Sequence, residues 1–224
     1  MLRICFSLLL ACALLPAQKK SAGPNREVIN NDLVRVLIAN STPGTKSRPH
    51  KHDVNRIMIY LDDGAQQLKF EDGTVKDQQW KAGDVILDPK GGMHTSENKH
   101  SKPFRIVEIE LKNAGDTVSL SKLDAPQVAP HRYKVILETE QVRVIRARFG
   151  PGDRVPLHEH VLPHVVVFLT DYHLGVRGDD GKLVEIEGKA GEAILGGPAK
   201  HSETNRTNAL LDLVIVEIKS KSGA

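Results

Sequence analysis

Cysteine is nearly absent from this 224-residue chain: only Cys5 and Cys12 occur, both within the first twelve residues. A chain beginning after Ala17 has no thiol, so disulfides cannot stabilise it even in an oxidising compartment. Any metal must then be held by nitrogen and oxygen ligands. Aromatic residues make up only 4%, so the core must rest on Val, Ile and Leu, which suits strands. The formal charge is +3, and no stretch concentrates Lys and Arg with interleaved aromatics, which argues against nucleic-acid binding. No segment of ten or more residues keeps helical periodicity after the apolar run Ile4 to Leu15. That run of twelve is too short to span a bilayer. At 26% charged and 40% hydrophobic, the remainder is ordinary for a soluble globular protein.

Arg3 followed by the apolar run has the pattern of a secretory signal peptide over residues 1–17, with cleavage after Ala17 and Leu15 an imperfect match to the small-x-small site. A second reading stays open. Leu9-Leu10-Ala11-Cys12 resembles a bacterial lipobox, which would place a lipid on Cys12 and provide the one route to a membrane. Both readings put the protein in the periplasm or outside the cell. Loss of Arg3 with the leader lowers the charge from +3 to +2. Residues 18–26 are polar and read as a loose arm.

The informative presence is a histidine pattern that occurs twice, 108 residues apart. Gly44, His50 and His52 recur as Gly152, His158 and His160, with five residues between glycine and first histidine each time. Gly83 and His94 recur as Gly191 and His201. A period this long signals duplication of a whole domain, not a solenoid. The reading is a leader over 1–17, a first half over 27–112, a connection over 113–134 and a second half over 135–219.

Short β-rich runs separated by turn signals fill each half. Leu33 to Ile38, Arg56 to Leu61, Gln67 to Phe70, Val85 to Leu87 and Phe104 to Leu111 read as strands. Asp62-Asp63-Gly64 and Glu71-Asp72-Gly73 read as turns. Along Phe104 to Leu111, apolar 107, 109 and 111 alternate with acidic 108 and 110, the pattern of a half-buried strand. Ile215-Val216-Glu217-Ile218 answers Ile106-Val107-Glu108-Ile109, so the offset rises to 109 there after slipping to 107 at His201. Many short strands with Gly and Pro turns indicate an all-β chain with a jelly roll in each half.

These residues carry a resemblance. The halves are similar to the cupin superfamily, and the whole chain, over about residues 27–219, resembles a bicupin: two tandem cupin-type jelly-roll barrels. Gly44, His50 and His52 match the first cupin motif, but Arg56 stands where its glutamate belongs and Gly64 comes one residue late. In the second half His164 takes the glutamate position. Gly83, Pro89, Gly91, His94 and Asn98 satisfy the second motif completely. Gly191, His201 and Asn205 keep part of it, with Gly197 and Ala199 in place of proline and glycine.

The site chemistry follows from the residue types. Side chains two apart on a strand share a face, so His158, His160 and His164 can project into one barrel interior, with His201 arriving from another element. Four imidazoles can then meet one divalent transition ion: Fe, Zn, Cu, Ni or Mn. His50, His52 and Arg56 obey the same parity, with His94 as the third imidazole. A guanidinium cannot ligate a metal, so the first half offers three histidines beside a cation, and the second half ranks as the better metal site. Arg56 could clamp a carboxylate substrate, or be neutralised by Asp53 or Glu108. The carboxylate usual in the cupin pattern is missing from both halves, so a bound ion keeps its charge and favours an anionic ligand.

Two function classes remain. One is a metal-dependent enzyme on a small, anionic molecule, dioxygenase-like or isomerase-like; the other is a non-catalytic binder of a metal or small molecule. Cupin barrels pair through strand edges, so the resemblance also admits a homodimer. Asn98 and Asn205 read as turn closures, Trp80 as core, and Arg35 and Arg143 as surface or salt-bridge residues.

Overall fold

The computed structural model describes residues 25–220; the expected leader, with Cys5 and Cys12, lies outside them. The first half supplies nine strands: β1 (Asn25–Asn30), β2 (Val34–Ser41), β3 (His50–His52), β4 (Arg56–Tyr60), β5 (Gly64–Phe70), β6 (Val75–Trp80), β7 (Val85–Asp88), β8 (Gly91–Asn98) and β9 (Phe104–Leu111). A four-residue helix, α1 (Ala125–Val128), precedes nine more. These are β10 (Tyr133–Glu138), β11 (Val142–Phe149), β12 (Arg154–His160), β13 (His164–Phe168), β14 (Tyr172–Gly178), β15 (Leu183–Gly188), β16 (Ala193–Gly196), β17 (Ala199–Asn205) and β18 (Leu211–Ile218).

Each set forms one five-stranded and one four-stranded sheet. The orders are β1-β2-β9-β4-β7 with β3-β8-β5-β6, and β10-β11-β18-β13-β16 with β12-β17-β14-β15, so the second half copies the first strand for strand. The repeated glycines Gly44 and Gly152, Gly73 and Gly181, and Gly83 and Gly191 all take positive φ, between 71° and 92°. This left-handed region favours glycine, which explains why those positions persisted through the duplication.

The five-stranded sheets are buried on both faces. Val34, Val36, Val107 and Ile109 from one half form a single apolar cluster with Val142, Val144, Val214 and Val216 from the other. The barrel interiors are filled from both sheets: by Met58, Tyr60, Trp80, Phe104 and Ile106 in the first, and by a larger set around Tyr133, Phe149, Phe168 and Leu174 in the second. The half-buried reading of Phe104 to Leu111 is therefore corrected. Its apolar 107, 109 and 111 meet the other half, while Glu108 turns into the barrel as a buried partner of Arg56.

The register near the chain end is corrected too. Val34 pairs with Leu111 and Val142 with Ile218, so Glu217 corresponds to Glu110 and the offset stays at 107. A slip of two residues leaves every side chain on its proper face, so alternation alone could not expose it. Gly64 is not a turn residue but the first of β5, where any Cβ would come within 2.3 Å of the Trp80 ring. In the second half the exchange is reversed, with Tyr172 lying over Gly188.

Candidate metal centres

In the first half, β3 carries His50 and His52, and β8 places His94 directly opposite His50. One ring nitrogen from each lies within 4.8 Å of the other two. His50 Nδ1 donates to the Arg48 carbonyl at 2.8 Å and His94 Nδ1 to the Gly92 carbonyl at 3.0 Å. Those bonds fix the tautomer and leave Nε2 as the bare nitrogen, the form a metal needs. Burial, then the nearby Arg56 and His50 charges, hold His52 down at about 4, and burial lowers His94 as well. Both imidazoles are neutral near pH 7.

Arg56 starts β4, in the other sheet, so strand parity with His52 is not what brings it near. Its guanidinium donates to Glu108 at 2.7 Å and to Asp88, while its Nε is buried without a partner. Asp53, weighed as a partner, pairs with Lys51 on the surface instead. Burial pushes Glu108 above the usual carboxylate range, although Arg56 draws it down. The three histidines open into a small pocket of about 60 Å³ whose walls include Tyr60, Gln66, Gln78 and Ser96.

In the second half, β12 carries His158 and His160, and His201 on β17 faces His158 across the ladder. These three again place ring nitrogens within 4.8 Å of one another. His158 Nδ1 donates to the Pro156 carbonyl at 2.9 Å and His160 Nδ1 to Glu217 Oε1 at 2.9 Å. A ligand histidine braced by a carboxylate is a recurrent feature of metal sites. Burial lowers His158, and it takes His201 to about 4. His164 comes from β13, in the facing sheet; its ring centroid is 4.9 Å from that of His160. Its Nδ1 donates to the Leu162 carbonyl, and its Nε2 sits over Gly196, where a Cβ would come within 2.4 Å. Three imidazoles thus share one focus and the fourth adjoins it.

Several residues here were not picked out from the sequence. Glu203, two residues after His201 on β17, brings a carboxylate to the second-half cluster, which corrects the expectation that no acid stands there. Tyr133 donates to Glu203 Oε2 at 2.5 Å. Arg143, expected at the surface or in a salt bridge, is a buried ion-pair residue, donating to Glu217 at 2.8 Å and to Asp124. Asp124 and Tyr133 both come from the segment read as a connection. Two of the second-half histidines are deeply buried, His158 at 0% and His160 at 3% exposed, while His201 is partly exposed. Asn98 and Asn205 close turns as expected, each accepting a backbone N–H two residues on. Trp80 is core, stacked on Tyr60.

A family model described as AraC-like ligand binding domain matches residues 33–148, just over half of the chain. Germin-like protein 9-3 of Oryza sativa subsp. japonica is 30% identical over 94 residues, covering 41% of this chain and 44% of that protein. The chain thus matches less than half the length of that relative. Among solved structures, AerE from Microcystis aeruginosa superposes with a TM-score of 0.62 at 14% identity, over 88% of this chain and 97% of that one. Oxalate decarboxylase from Bacillus subtilis, studied for its Mn(II) centres, gives 0.59 at 12% identity, over 89% and 74%. At such identities the likeness is one of fold, that of paired cupin barrels.

Proposed function

This chain belongs to the AraC-like ligand binding domain family, of cupin type, and from that premise we propose that it holds divalent transition ions in its histidine clusters and binds a small anionic molecule in the N-terminal pocket. The observation that carries this reading is the convergence of three imidazoles, twice, with Nδ1 bonds on two of the three in each half that leave their Nε2 bare. In the second half the ligands are His158, His160 and His201, with His164 adjoining; in the first they are His50, His52 and His94. A divalent ion held by three neutral imidazoles keeps its full charge and polarises a ligand oxygen as a Lewis acid.

Access separates the halves. The second-half cluster is the more deeply buried, whereas the first opens into a small pocket of about 60 Å³ lined by amide and hydroxyl side chains suited to a polar ligand. Arg56 is already engaged by two carboxylates, so in this reading it shapes the pocket wall and the ion supplies the attraction for the anion. Imidazole suits Zn, Cu, Fe and Ni, and Mn is the metal of the oxalate decarboxylase of similar fold. We further propose that the protein works in the periplasm or outside the cell, on the strength of the leader pattern.

Catalysis is a second reading, favoured by Glu108. It is a carboxyl raised by burial on the same pocket wall as the histidines, a suitable group for moving a proton on a bound substrate.

Elemental analysis of wild type, His50→Ala/His52→Ala and His158→Ala/His160→Ala tests the metal assignment. The expected result is metal in the wild type, with each pair of substitutions removing its own share. Calorimetric titration with oxalate as probe then shows binding that depends on His50 and His52. Protein free of metal after soaking in Fe(II), Ni, Cu, Zn and Mn in turn sinks the reading.

A further inference from the structure

We propose that Glu203 is the fourth protein ligand of the C-terminal centre, so that the missing carboxylate comes from β17 rather than from the segment after His160. This rests on the metal reading above and deepens it.

Position comes first. Glu203 follows His201 by two residues on one strand, so both side chains enter the barrel from the same face. Its Oε1 lies 3.7 Å from His201 Nε2, and its Oε2 lies 3.8 Å from His158 Nε2. These gaps exceed a hydrogen bond and put the carboxylate at the edge of the focus that the three rings share, one oxygen toward each of two histidines.

Proton accounting comes next. His158 spends its Nδ1 proton on the Pro156 carbonyl, so its Nε2 presents a lone pair. The nearest hydroxyl, Tyr133 at 3.2 Å, has one proton and gives it to Glu203 at 2.5 Å. The bare imidazole nitrogen therefore faces the phenol oxygen with no proton between them, and the carboxylate adds its negative charge beside both. A cation among them would engage the lone pair and balance the charge. The other nearby carboxylate, Glu217, is already committed, one oxygen to His160 and the other to Arg143.

The two halves differ at the equivalent of Glu203. The pairings His50 with His94 and His158 with His201 put Ser96 at the place of Glu203. The N-terminal set is therefore three imidazoles with no carboxylate among them, whereas the C-terminal set carries a charge that offsets that of a divalent ion. The expected outcome is a tightly held ion in the C-terminal half and an exchangeable, anion-seeking one in the N-terminal half.

The test uses Co(II), whose d–d absorption reports its ligands, in the His50→Ala/His52→Ala protein, where only the second centre remains. Glu203→Gln keeps the shape and still accepts from Tyr133. It should lower Co(II) affinity, measured against a competing chelator, by at least the roughly 10- to 100-fold that loss of an outer partner costs, and shift the d–d bands. Unchanged affinity and bands would overturn the assignment of Glu203 while leaving the histidine reading intact. A parent protein that takes up no Co(II) overturns both. Should Glu203→Gln fail to fold, Ser96→Glu in the His158→Ala/His160→Ala protein decides. A gain in Co(II) affinity with altered d–d bands supports this position as a ligand site, and no gain overturns it.

Discussion

Arg56 and His164 occupy equivalent positions in the two barrels. On one side Arg56 pairs in register with Glu110 and His164 with Glu217; on the other, Arg56 stands opposite Asp88 and His164 opposite Gly196. The ladder places Ile215 where the first half has Glu108. After duplication, then, three positions differ together. One half has Arg56 with two carboxylates, and the other has an imidazole with a glycine that makes room for it and an isoleucine.

Such a matched set predicts strong non-additivity. Arg56→His alone leaves Asp88 and Glu108 in the interior without their cation, and breaking a buried pair in this way costs about 3–5 kcal/mol. Arg56→His/Asp88→Gly/Glu108→Ile installs the second-half set entire and should recover most of that loss. Urea unfolding of the single and triple variants measures it. A single variant as stable as wild type would show that the ion cluster does not hold the wall together.

The metal-free protein should lose stability on acidification. His52 and His201 titrate at about 4 in the folded chain, against 6.5 unperturbed. Between those values the unfolded chain binds more protons, so stability is fully present above pH 6.5 and falls as pH drops towards 4. His94, His158 and His164 are lowered also and act in the same direction. Glu108, raised by burial, opposes them: its protonated form suits the folded chain, so its contribution grows on acidification. Thermal melts of apoprotein across pH 7.5 to 4 should therefore slope, and His52→Gln/His201→Gln should flatten the slope. Parallel curves for the two proteins would mean that these imidazoles are not held neutral by burial.

Much of this was legible in the sequence because duplication writes it twice. The repeated glycines mark backbone conformations that only glycine adopts easily, and the His-x-His pairs land on equivalent strands. Parity anticipated that the histidines converge, but for an incomplete reason. His160 and His164 sit on strands of different sheets and converge because the barrel folds one sheet over the other. Glu203 had a signal, its spacing of two from His201, yet an acidic residue on a strand more often faces water. Asp124 and Tyr133 had none, since the residues around them carry no period and their roles depend on α1 packing against β12 and β10.

The support behind His160 leads to a further expectation. Burial pushes Glu217 up, but hydrogen bonds from His160 and Arg143 prevail and hold it below the usual carboxylate range. It is therefore a full anion behind a ligand imidazole, making that ring a stronger donor to an ion. Glu217→Gln keeps the side chain's shape and removes the charge. It should weaken metal at the second centre roughly 10- to 100-fold and leave the first centre unchanged. Asp124→Asn provides the contrast, because Asp124 also grips Arg143 but makes no hydrogen bond to His160. It should lower the unfolding midpoint, since a buried pair is weakened, while metal affinity stays near that of wild type. Equal losses of affinity in the two variants would mean that the network acts only by holding the barrel rigid. Loss confined to Glu217→Gln would assign Glu217 to the electrostatics of the ion.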